Sequence, residues 1–353
     1  MQRLVAIEAR GERFTEALRA AWDAGDAVLP VDPRLPERAA SALATALGAG
    51  ARIDGEVALV VPTSGTTGDP KGVQLTHAQV AASADATSSF LGVDPARHRW
   101  LACLPLAHVG GLSVVTRAWH TGTPLEVHDG FDATAVDAAA RAGCTHVSLV
   151  GTALARIDAA GWTRIVLGGS APPPDRPANT VATYGMTETG SGVVYDGVPV
   201  PGVELRIDDG EILVRGPMVA TRYRDGTPVV DDAGWLHTGD VGRLDDGVLT
   251  VHGRRGDMII SGGENVHPEP VEQRLRQHPA VDDAAVVGRP DPEWGQRVVA
   301  VLELVPGAAT PSLEELRGWV RDTLPPWSAP KDLEVVDELP RTSLGKVRRA
   351  AVR

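Results

Sequence analysis

Short apolar runs alternate with alanine-rich stretches through the middle of the chain. Strand-like or helical segments follow one another at residues 57–61, 100–104, 109–120, 125–128, 133–142 and 146–149. This alternation is typical of βα units and predicts a largely parallel, doubly wound sheet. The first fifty residues predict a helix over 14–24, a short strand around Val28 and a second helix after Pro36.

The pattern changes near residue 198. Up to residue 252 the chain carries short strands between Asp-Gly pairs at 209–210, 225–226 and 246–247. Asp-Gly is a favoured hairpin turn, so this region predicts an antiparallel layer. Beyond a charged junction at 253–257, the pattern predicts helices over 269–277 and 312–323 and strands over 281–287, 297–304 and 333–336.

The predicted fold is therefore α/β with two domains. Residues 1–254 form a large N-terminal domain with a doubly wound, largely parallel sheet and a β-rich layer. Residues 255–353 form a small, mobile α+β domain of a size that folds independently. The glycine-flanked junction predicts a hinge near Gly256.

Composition and charge limit the kinds of molecule that the protein is expected to bind. Lys plus Arg is 34 and Asp plus Glu is 46, which gives a net charge of −12. An acidic chain disfavours nucleic acid or an anionic membrane as its main partner. Cys103 and Cys144 lie in apolar runs and predict buried free thiols. The charged N-terminus and the lack of any apolar run of ~18 residues predict a cytoplasmic protein without a membrane span. A homo-oligomer is compatible with the sequence.

Residues 63–73 form the most informative segment, Thr-Ser-Gly-Thr-Thr-Gly-Asp-Pro-Lys-Gly-Val. Hydroxyls, glycines and a lysine between a strand and a helix suit an anion, because backbone N–H groups can face it. The segment is not a Walker loop, since Pro70 and Gly72 replace residues which that motif requires. A plain surface turn is the alternative. The candidate phosphate contacts are Thr63, Ser64, Gly65, Thr66, Thr67, Gly68 and Lys71.

This string resembles the phosphate loop of the adenylate-forming superfamily, which includes acyl- and aryl-CoA synthetases, peptide-synthetase adenylation domains and luciferases. Five further motifs resemble that superfamily and follow its order, so the resemblance spans residues 63–348. They are Leu104-Pro-Leu-Ala-His-Val-Gly-Gly-Leu, Val166-Leu-Gly-Gly-Ser-Ala-Pro, Tyr184-Gly-Met-Thr-Glu-Thr-Gly, Gly234-Trp-Leu-His-Thr-Gly-Asp and Leu339-Pro-Arg-Thr-Ser-Leu-Gly-Lys-Val-Arg.

The resemblance implies roles for single residues in the nucleotide site. Tyr184 would stack on adenine beside Gly185, and Gly168, Gly169 and Ser170 would approach a flat ligand closely. Asp240 would bind the ribose hydroxyls, and Arg254 would contact the ribose or phosphate region. The residues implied to be catalytic are Thr187 on phosphate, Glu188 on Mg²⁺, His108 beside the acyl group, and Lys346.

The implied chemistry has two halves and uses ATP, Mg²⁺ and CoA. A carboxylic acid would attack the α-phosphate of ATP to give an acyl-adenylate, and CoA thiol would then displace AMP. Gly262, Gly263 and Glu264 would face CoA after the C-terminal domain rotates about the hinge. At the hinge position relatives carry Asp or Lys, whereas this chain has Gly256, so a side-chain role there is in doubt.

Within the superfamily the chain is most similar to o-succinylbenzoate–CoA ligases of menaquinone biosynthesis, particularly compact actinobacterial ones. Arg117 lies in an apolar helix, and a buried guanidinium needs an anion such as the second carboxylate of this acid. Pairing with a protein acid, or reaching solvent, is the alternative for Arg117. Ser191 and Thr152 are weaker candidates for the acid pocket.

Three other functions stay open at this point. The chain could be another aryl- or acyl-CoA ligase, which would share the mechanism but use a different acid. It could instead be an adenylation enzyme that loads a free carrier protein. An inactive relative kept as an interaction protein is disfavoured, because the chemical motifs other than the hinge residue are intact.

Overall fold

The structure is a computed structural model that describes residues 2–64, 70–169, 171–173, 175–341 and 347–352. The chain forms two compact units. The first unit comprises Met1–Arg206, Leu213–His237 and Asp245–Leu249, and the second comprises Ile207–Ile212, Thr238–Leu244 and Thr250–Arg353. The second unit thus takes in short segments that precede residue 255. The predicted domain boundary between residues 254 and 255 stays a prediction.

The strands, in chain order, are β1 (Leu4–Ile7), β2 (Ala27–Pro30), β3 (Val57–Ser64), β4 (Pro70–Thr76), β5 (Trp100–Ala102), β6 (Leu125–Val127), β7 (His146–Leu149), β8 (Arg164–Leu167), β9 (Thr180–Gly185), β10 (Gly192–Tyr195), β11 (Val198–Pro199), β12 (Glu204–Asp208), β13 (Glu211–Arg215), β14 (Arg222–Tyr223), β15 (Leu236–Asp245), β16 (Val248–Arg254), β17 (Ile259–Ser261), β18 (Glu264–Val266), β19 (Val281–Asp291), β20 (Gly295–Leu304) and β21 (Asp332–Val336). The α-helices are α1 (Gly11–Asp23), α2 (Glu37–Ala46), α3 (His77–Leu91), α4 (Val109–Thr121), α5 (Ala133–Arg141), α6 (Gly151–Leu154), α7 (Pro268–Arg276), α8 (Leu313–Arg321) and α9 (Arg349–Val352).

The first unit contains two sheets with parallel strands. The smaller has the order β1-β2-β3-β4-β14, in which β1, β2 and β3 are parallel and β4 and β14 are antiparallel. The larger has the order β11-β10-β9-β8-β7-β5-β6 and is parallel from β9 to β6. The predicted fold class is confirmed. The prediction did not include β1, whose sequence is too mixed to stand out, or the antiparallel strand β4.

Burial explains why the strands of the larger sheet read as continuous apolar runs. β7 and β8 have buried residues at nearly every position, as expected for parallel strands covered on both faces. Val136 and Ala139 of α5 pack on Val147 and Ile165 of these strands. The same sheet therefore holds both the hydrophobic core and the ends of the strands at which the chemical motifs begin.

The β-rich layer has the strand order β12-β13-β15-β16. Two of the predicted Asp-Gly turns connect its strands, and Asp209 and Asp246 have positive φ angles of 46° and 48°, as this kind of hairpin turn requires. The third pair differs from the prediction. Asp225-Gly226 follows β14, which pairs with β4 in the smaller sheet of the first unit.

The sheet of the second unit has the order β18-β17-β20-β19, and β21 pairs with β20. Alternate residues of β19 and β20 point to opposite faces. Val286 and Ala300 pack under Leu275 of α7 and Leu316 of α8. The opposite face packs against the C-terminal segment through residues that include Val287, Val299, Leu339, Val347 and Val352. No described helix combines the length and the apolar character that a membrane span needs.

His146 is a titratable side chain within the core of the larger sheet. It is 1% exposed, and its ring lies 4.6 Å from that of His98 and 5.0 Å from that of Trp100. Thr145 Oγ1 lies 2.9 Å from its Nδ1. Burial, together with the nearby cationic groups, lowers the pKa of His146 to about 4. The folded protein therefore holds this imidazole neutral well below neutral pH.

We predict that His146 makes stability fall in mild acid. Between the unfolded pKa and the lower folded pKa, the unfolded chain binds a proton that the folded chain does not. The free energy of unfolding should thus drop by about 2 kcal/mol from about pH 7.5 to about pH 5 through this group. Urea unfolding of the wild type and of His146→Gln would measure this, with the exposed His120→Gln as control. An equal loss in wild type and His146→Gln would contradict the assignment.

Candidate functional site

The segments that carry the chemical motifs begin at the carboxyl ends of parallel strands. His108 follows β5, Thr152 follows β7, Gly168 and Gly169 follow β8, and Tyr184 closes β9. These strands are neighbours in one sheet and run in the same direction, so their ends share one edge. Ligands of open α/β sheets bind outside the carboxyl ends of the strands. This edge is the candidate active site of the first unit.

The arms of the predicted phosphate loop form the β3–β4 hairpin. Thr63 pairs with Lys71 across it, and Thr63 Oγ1 lies 3.4 Å from the Lys71 carbonyl oxygen. Thr76 caps α3 with a reciprocal capping box to Gln79, which fixes the exit from the hairpin. Gly65, Thr66, Thr67 and Gly68 lie outside the described residues, as does the side chain of Ser64. Ser170, in the next motif, also lies outside them.

Tyr223 links the lysine of this hairpin to the acidic residue of a second motif. Lys71 Nζ lies 5.1 Å from the centre of the Tyr223 ring. The Tyr223 hydroxyl donates to Glu188 Oε1 at 3.0 Å. Burial and the Glu188 carboxylate both raise the pKa of Tyr223, so the phenol keeps its proton at neutral pH. Sequence reasoning missed Tyr223, because it reaches the site only through the long-range pairing of β14 with β4.

Glu188 and Thr187 lie on a single 3₁₀ turn, Thr187–Thr189, just after β9. Thr189 is fully buried, and its hydroxyl oxygen lies 2.9 Å from the Met186 carbonyl oxygen and 2.7 Å from the Ser191 carbonyl oxygen, either of which can accept its proton. These bonds fix the turn. Gly185 is required by close packing, since a Cβ at this position would overlap the backbone of Ser191.

His108 is the N-cap residue of α4 and lies beside the ion pair between the buried Asp32 and the exposed Arg34. Its Nε2 is 3.4 Å from Asp32 Oδ2, while Arg34 Nη2 lies 2.6 Å from the same carboxylate oxygen. The hydrogen bond from Arg34 lowers the pKa of Asp32 to about 2. Burial lowers the pKa of His108, so its ring is neutral at pH 7. Asp32 and Arg34 were not predicted as site residues, since Val-Asp-Pro-Arg resembles an ordinary turn.

Arg117 is buried without an acidic partner among the described residues. Arg117 is 2% exposed, and its Nη2 donates to Ser191 Oγ at 3.1 Å. Ser191 Oγ in turn lies 3.3 Å from Ser113 Oγ. The guanidinium carbon is 4.9 Å from the centre of the Trp100 ring. Neither alternative for Arg117, an ion pair with a described acid or exposure to solvent, is seen.

Two donors of Arg117 have no hydrogen-bond partner among the described residues, namely Nε and Nη1. Ser113, Thr116 and Gly190 line a cavity of about 10 Å³ beside this side chain, which is room for about one water molecule. A buried cation with unpaired donors is costly. Burial accordingly lowers the pKa of Arg117.

Thr152, which with Ser191 was a weaker candidate for the acid pocket, is exposed on α6.

In the second unit, Asp240 and Arg254, which were each predicted to contact the nucleotide, form an ion pair with each other. Asp240 is 6% exposed, and its Oδ1 lies 2.8 Å from Arg254 Nε. Arg254 Nη1 also donates to the Thr238 carbonyl oxygen at 2.9 Å. Arg254 therefore contacts the Asp240 carboxylate, which was predicted to bind the ribose hydroxyls.

Gly262 and Gly263 form the two-residue turn of the β17–β18 hairpin, with φ angles of 63° and 86°. A Cβ on Gly262 would lie 2.7 Å from the Trp294 ring, so the ring packs directly on the backbone here. Lys331 Nζ lies 4.5 Å from the centre of the same ring. Glu264 is exposed at the end of the turn. Sequence reasoning missed Trp294 and Lys331, which are distant from the glycines in sequence.

Gly256 lies in the 3₁₀ turn Arg255–Asp257, and apart from its chain neighbours no atom of the described residues lies within 4 Å of the place of a Cβ. Its backbone is outside the left-handed region. A larger residue would fit this position in the described conformation. Lys346, the predicted catalytic lysine, lies outside the described residues.

Comparison with known proteins supports the interpretation of these motifs. Residues 51–224 match the family described as AMP-binding enzyme, and residues 270–346 match the AMP-binding enzyme C-terminal domain. A probable 2-succinylbenzoate–CoA ligase of Mycobacterium tuberculosis is 44% identical over 340 residues, covering 87% of this chain and 86% of the relative.

Solved structures with a similar fold include enzymes of the same kind. The o-succinylbenzoate CoA synthetase (MenE) of Bacillus subtilis in complex with the acyl-adenylate intermediate OSB-AMP has a TM-score of 0.88 and 29% identity, covering 99% of this chain and 88% of that one. The same enzyme in complex with ATP and magnesium ion has a TM-score of 0.87 at 29% identity and the same coverage.

Proposed function

Because this chain belongs to the AMP-binding enzyme family, we propose that it is an ATP-dependent o-succinylbenzoate–CoA ligase. It forms the acyl-adenylate of the acid and then its CoA thioester, a step of menaquinone biosynthesis. Relatives that carry this activity in their names match across most of the chain. The cytoplasmic location and a homo-oligomeric state stay predictions.

The proposal that the substrate is a dicarboxylic acid rests on the burial of Arg117. It lies against Ser191, only three residues beyond Glu188, and so beside the turn that would hold the nucleotide phosphates. A dicarboxylic acid could present one carboxylate for activation and the other to this guanidinium. Bidentate pairing through Nη2 and either Nε or Nη1 would then satisfy one of the two unpaired donors. A monocarboxylic acid would leave both donors unpaired.

Binding in this manner requires a local rearrangement. The cavity beside Arg117 holds about 10 Å³, which is too small for a carboxylate. Gly190 lines this cavity and directly follows the turn that carries Glu188, and Ser191 is the next residue. The proposal therefore requires this segment to move when the acid enters, with the carboxylate replacing the Ser191 hydroxyl as partner of Arg117.

The first half-reaction is proposed at the β3–β4 hairpin and the Glu188 turn. The acid carboxylate attacks the α-phosphate of ATP, and pyrophosphate leaves. Lys71 supplies positive charge beside the phosphate loop, and Thr187 supplies a hydroxyl for a phosphate oxygen. Catalysis of such transfers depends mainly on positioning and charge stabilisation.

Glu188 is the residue proposed to hold Mg²⁺. Its described side-chain hydrogen bond uses Oε1 and comes from Tyr223, so this bond can orient the carboxylate while Oε2 faces a ligand. One carboxylate together with phosphate oxygens is a usual donor set for this ion. A bound magnesium ion would offset negative charge on the ATP phosphates.

The nucleoside contacts are proposed for both units. In the first, the Tyr184 ring stacks on adenine, and the backbone at Gly168 and Gly169 faces the base. In the second, Asp240 and Arg254 act together, because Arg254 already binds one carboxylate oxygen. The Asp240 carboxylate is the proposed acceptor for a ribose hydroxyl.

CoA enters the second half-reaction, in which its thiol attacks the adenylate carbonyl and AMP leaves. In the tight turn, Trp294 packs on Gly262, whereas no described atom lies near the place of a Cβ on Gly263, so the backbone at Gly263 suits a narrow pantetheine path. His108, neutral through burial, is proposed to lie against the acyl group rather than to carry charge. We propose that the second domain rotates about a hinge near Gly256 between the two half-reactions.

Pyrophosphate release tests the proposed function. The enzyme is incubated with ATP, Mg²⁺ and o-succinylbenzoate, with and without CoA, against benzoate and hexanoate. Release confined to o-succinylbenzoate, with thioester only when CoA is present, is the expected result. Release with another acid would retain the mechanism and reject the substrate. Adenylate formation without thioester would favour loading of a carrier protein.

Arg117→Met tests the acid pocket. This substitution should raise the KM for o-succinylbenzoate by about 10- to 100-fold, as for the loss of a hydrogen-bonded charge, and leave the KM for ATP nearly unchanged. Because it also removes a buried cation with unpaired donors, the free energy of unfolding should stay equal or rise. Steady-state kinetics and urea unfolding measure the two effects.

The exposed Arg156, whose guanidinium carbon lies 5.2 Å from the centre of the Phe131 ring, provides a matched control as Arg156→Met. It should change neither KM. Equal increases in the KM of acid and ATP for Arg117→Met would remove Arg117 from the acid pocket.

Lys346→Ala tests the predicted catalytic lysine. Adenylate formation should fall by about 10²–10³-fold, the range for loss of one donor that stabilises transition-state charge. Conversion of pre-formed adenylate to thioester should persist, because that step occurs after the lysine has acted. Single-turnover assays of each half-reaction measure this. A parallel loss of both would indicate a folding defect instead.

A further inference from the structure

A cleft of about 300 Å³ lies between helices α1, α3 and α4 of the first unit. It is far larger than the cavity beside Arg117, and its volume reaches the range of sites that bind small molecules. We call it the tryptophan cleft, because Trp22 and Trp119 both line it. None of the described residues that line it belongs to the chemical motifs, so the proposed function leaves this cleft unexplained.

Aromatic side chains form much of the lining of the tryptophan cleft. The Trp22 indole N–H donates to the Ala58 carbonyl oxygen of β3 at 3.1 Å, and this bond fixes the orientation of the ring. The centre of the Trp22 ring lies 5.1 Å from that of His77 and 6.1 Å from that of Trp119, with interplanar angles of 67° and 75°. Rings in edge-to-face contact do not stack on one another, and both indoles stay partly exposed. A flat apolar ring therefore has indole surface on which to pack.

Arg19 supplies a positive charge at the cleft. Its guanidinium carbon lies 4.3 Å from the centre of the Trp119 ring. Arg19 is exposed and has no hydrogen bond or ion pair with any residue that the structure describes. A guanidinium that lies over a ring face can still donate from its edge, in the paired geometry that matches a carboxylate. Arg19 is therefore a candidate partner for an anion.

Three other titratable side chains line the described part of the cleft. Partial burial lowers the pKa of His77, so its imidazole is neutral at pH 7. His120 Nε2 lies 2.8 Å from Asp85 Oδ1, so that carboxylate is its partner. Asp23 is exposed and lies about one turn beyond Arg19 on α1. An anion in the cleft would therefore be attracted by Arg19 and repelled by Asp23, and the two effects can be measured separately.

We propose that the tryptophan cleft is a second ligand site, which binds a planar aromatic acid with its ring against Trp22 and Trp119 and its carboxylate on Arg19. A cationic ligand is disfavoured, because Arg19 already lies over the Trp119 ring, where a cation would bind. Binding is measured without catalysis, so the inference does not depend on the proposed function.

Binding of 2-naphthoate to the full chain, in the absence of ATP and CoA, tests the proposal. Ligand-observed NMR and titration calorimetry measure the affinity and the number of sites. A dissociation constant of about 1 mM or lower is expected for an aromatic acid of this size, and no binding at about tenfold higher concentration would overturn the inference.

Two charge substitutions on α1 should act in different directions. Arg19→Gln should weaken the binding of 2-naphthoate by about 3- to 10-fold, because a charge-assisted hydrogen bond is lost at an exposed position. Asp23→Asn should bind it as tightly or more tightly, because a repulsive charge is removed. Arg13→Gln is the matched control, since Arg13 is exposed on the same helix but does not line the cleft. Weaker binding by Asp23→Asn, or an equal loss in Arg13→Gln and Arg19→Gln, would contradict the proposed contact.

A change in the ligand completes a cycle with the change in the protein. The neutral 2-naphthamide has nearly the same shape as 2-naphthoate, and the wild type should bind it about 3- to 10-fold more weakly. If the carboxylate lies on Arg19, Arg19→Gln should bind the two ligands with equal affinity. A difference between them that persists in Arg19→Gln would overturn the inference.

Two further variants locate the ligand within the first unit. Val80 and Thr116 line both the tryptophan cleft and the cavity beside Arg117, so the two cavities are neighbours. Trp119→Leu should weaken the binding of 2-naphthoate by about 10-fold through the loss of ring packing, whereas Arg117→Met should bind it like the wild type. Loss of binding in Arg117→Met would assign the ligand to the acid pocket and overturn the inference. If Trp119→Leu fails to fold, the comparison of the two ligands in Arg19→Gln decides.

Discussion

The direction of the strands in the larger sheet is the constraint on which the first unit depends. Because β5, β7, β8 and β9 are adjacent and parallel, residues far apart in sequence emerge at one edge. Antiparallel pairing of any of them would send its motif to the opposite edge. The buried apolar faces of β7 and β8 therefore support the site as well as the core, since they hold the strands in this order.

Arg349 in the second unit and Arg117 in the first differ in how their positive charges are paired. Arg349 is satisfied by carboxylates of Glu272 and Asp257, and these interactions raise its pKa despite burial. Arg117 has serine and an aromatic face as neighbours, and burial lowers its pKa. The first arrangement fits a structural clamp, because every donor group has a strong partner. The second is typical of a binding site. The unpaired donors of Arg117 destabilise the free protein, and a bound anion would satisfy them.

Much of the fold and of the site could be predicted from local sequence. The fold class, the family and the tight turns at Asp209 and Asp246 are confirmed, since each depends on a contiguous pattern. The predicted roles of site residues remain predictions. The partners Tyr223, Asp32 and Trp294 could not have been found, because each reaches its neighbour only through long-range strand pairing or loop packing. Asp225-Gly226 was assigned to the wrong sheet for the same reason, as a turn motif does not specify its neighbour.

In the proposed function, acid recognition and nucleotide binding share one piece of backbone. Gly185 packs directly on the Ser191 backbone, and Ser191 holds both the buried Thr189 hydroxyl and the Arg117 guanidinium. In our proposal an acid with a second carboxylate displaces Ser191 from Arg117, and this displacement acts on the turn that carries Thr187 and Glu188. An acid without it leaves Arg117 on Ser191, the cavity closed and the two other donors unpaired. Sites with buried polar groups reject ligands that fail to satisfy them far more strongly than apolar pockets reject a change of shape. Specificity for the acid would then arise from the same movement that sets the phosphate-binding residues.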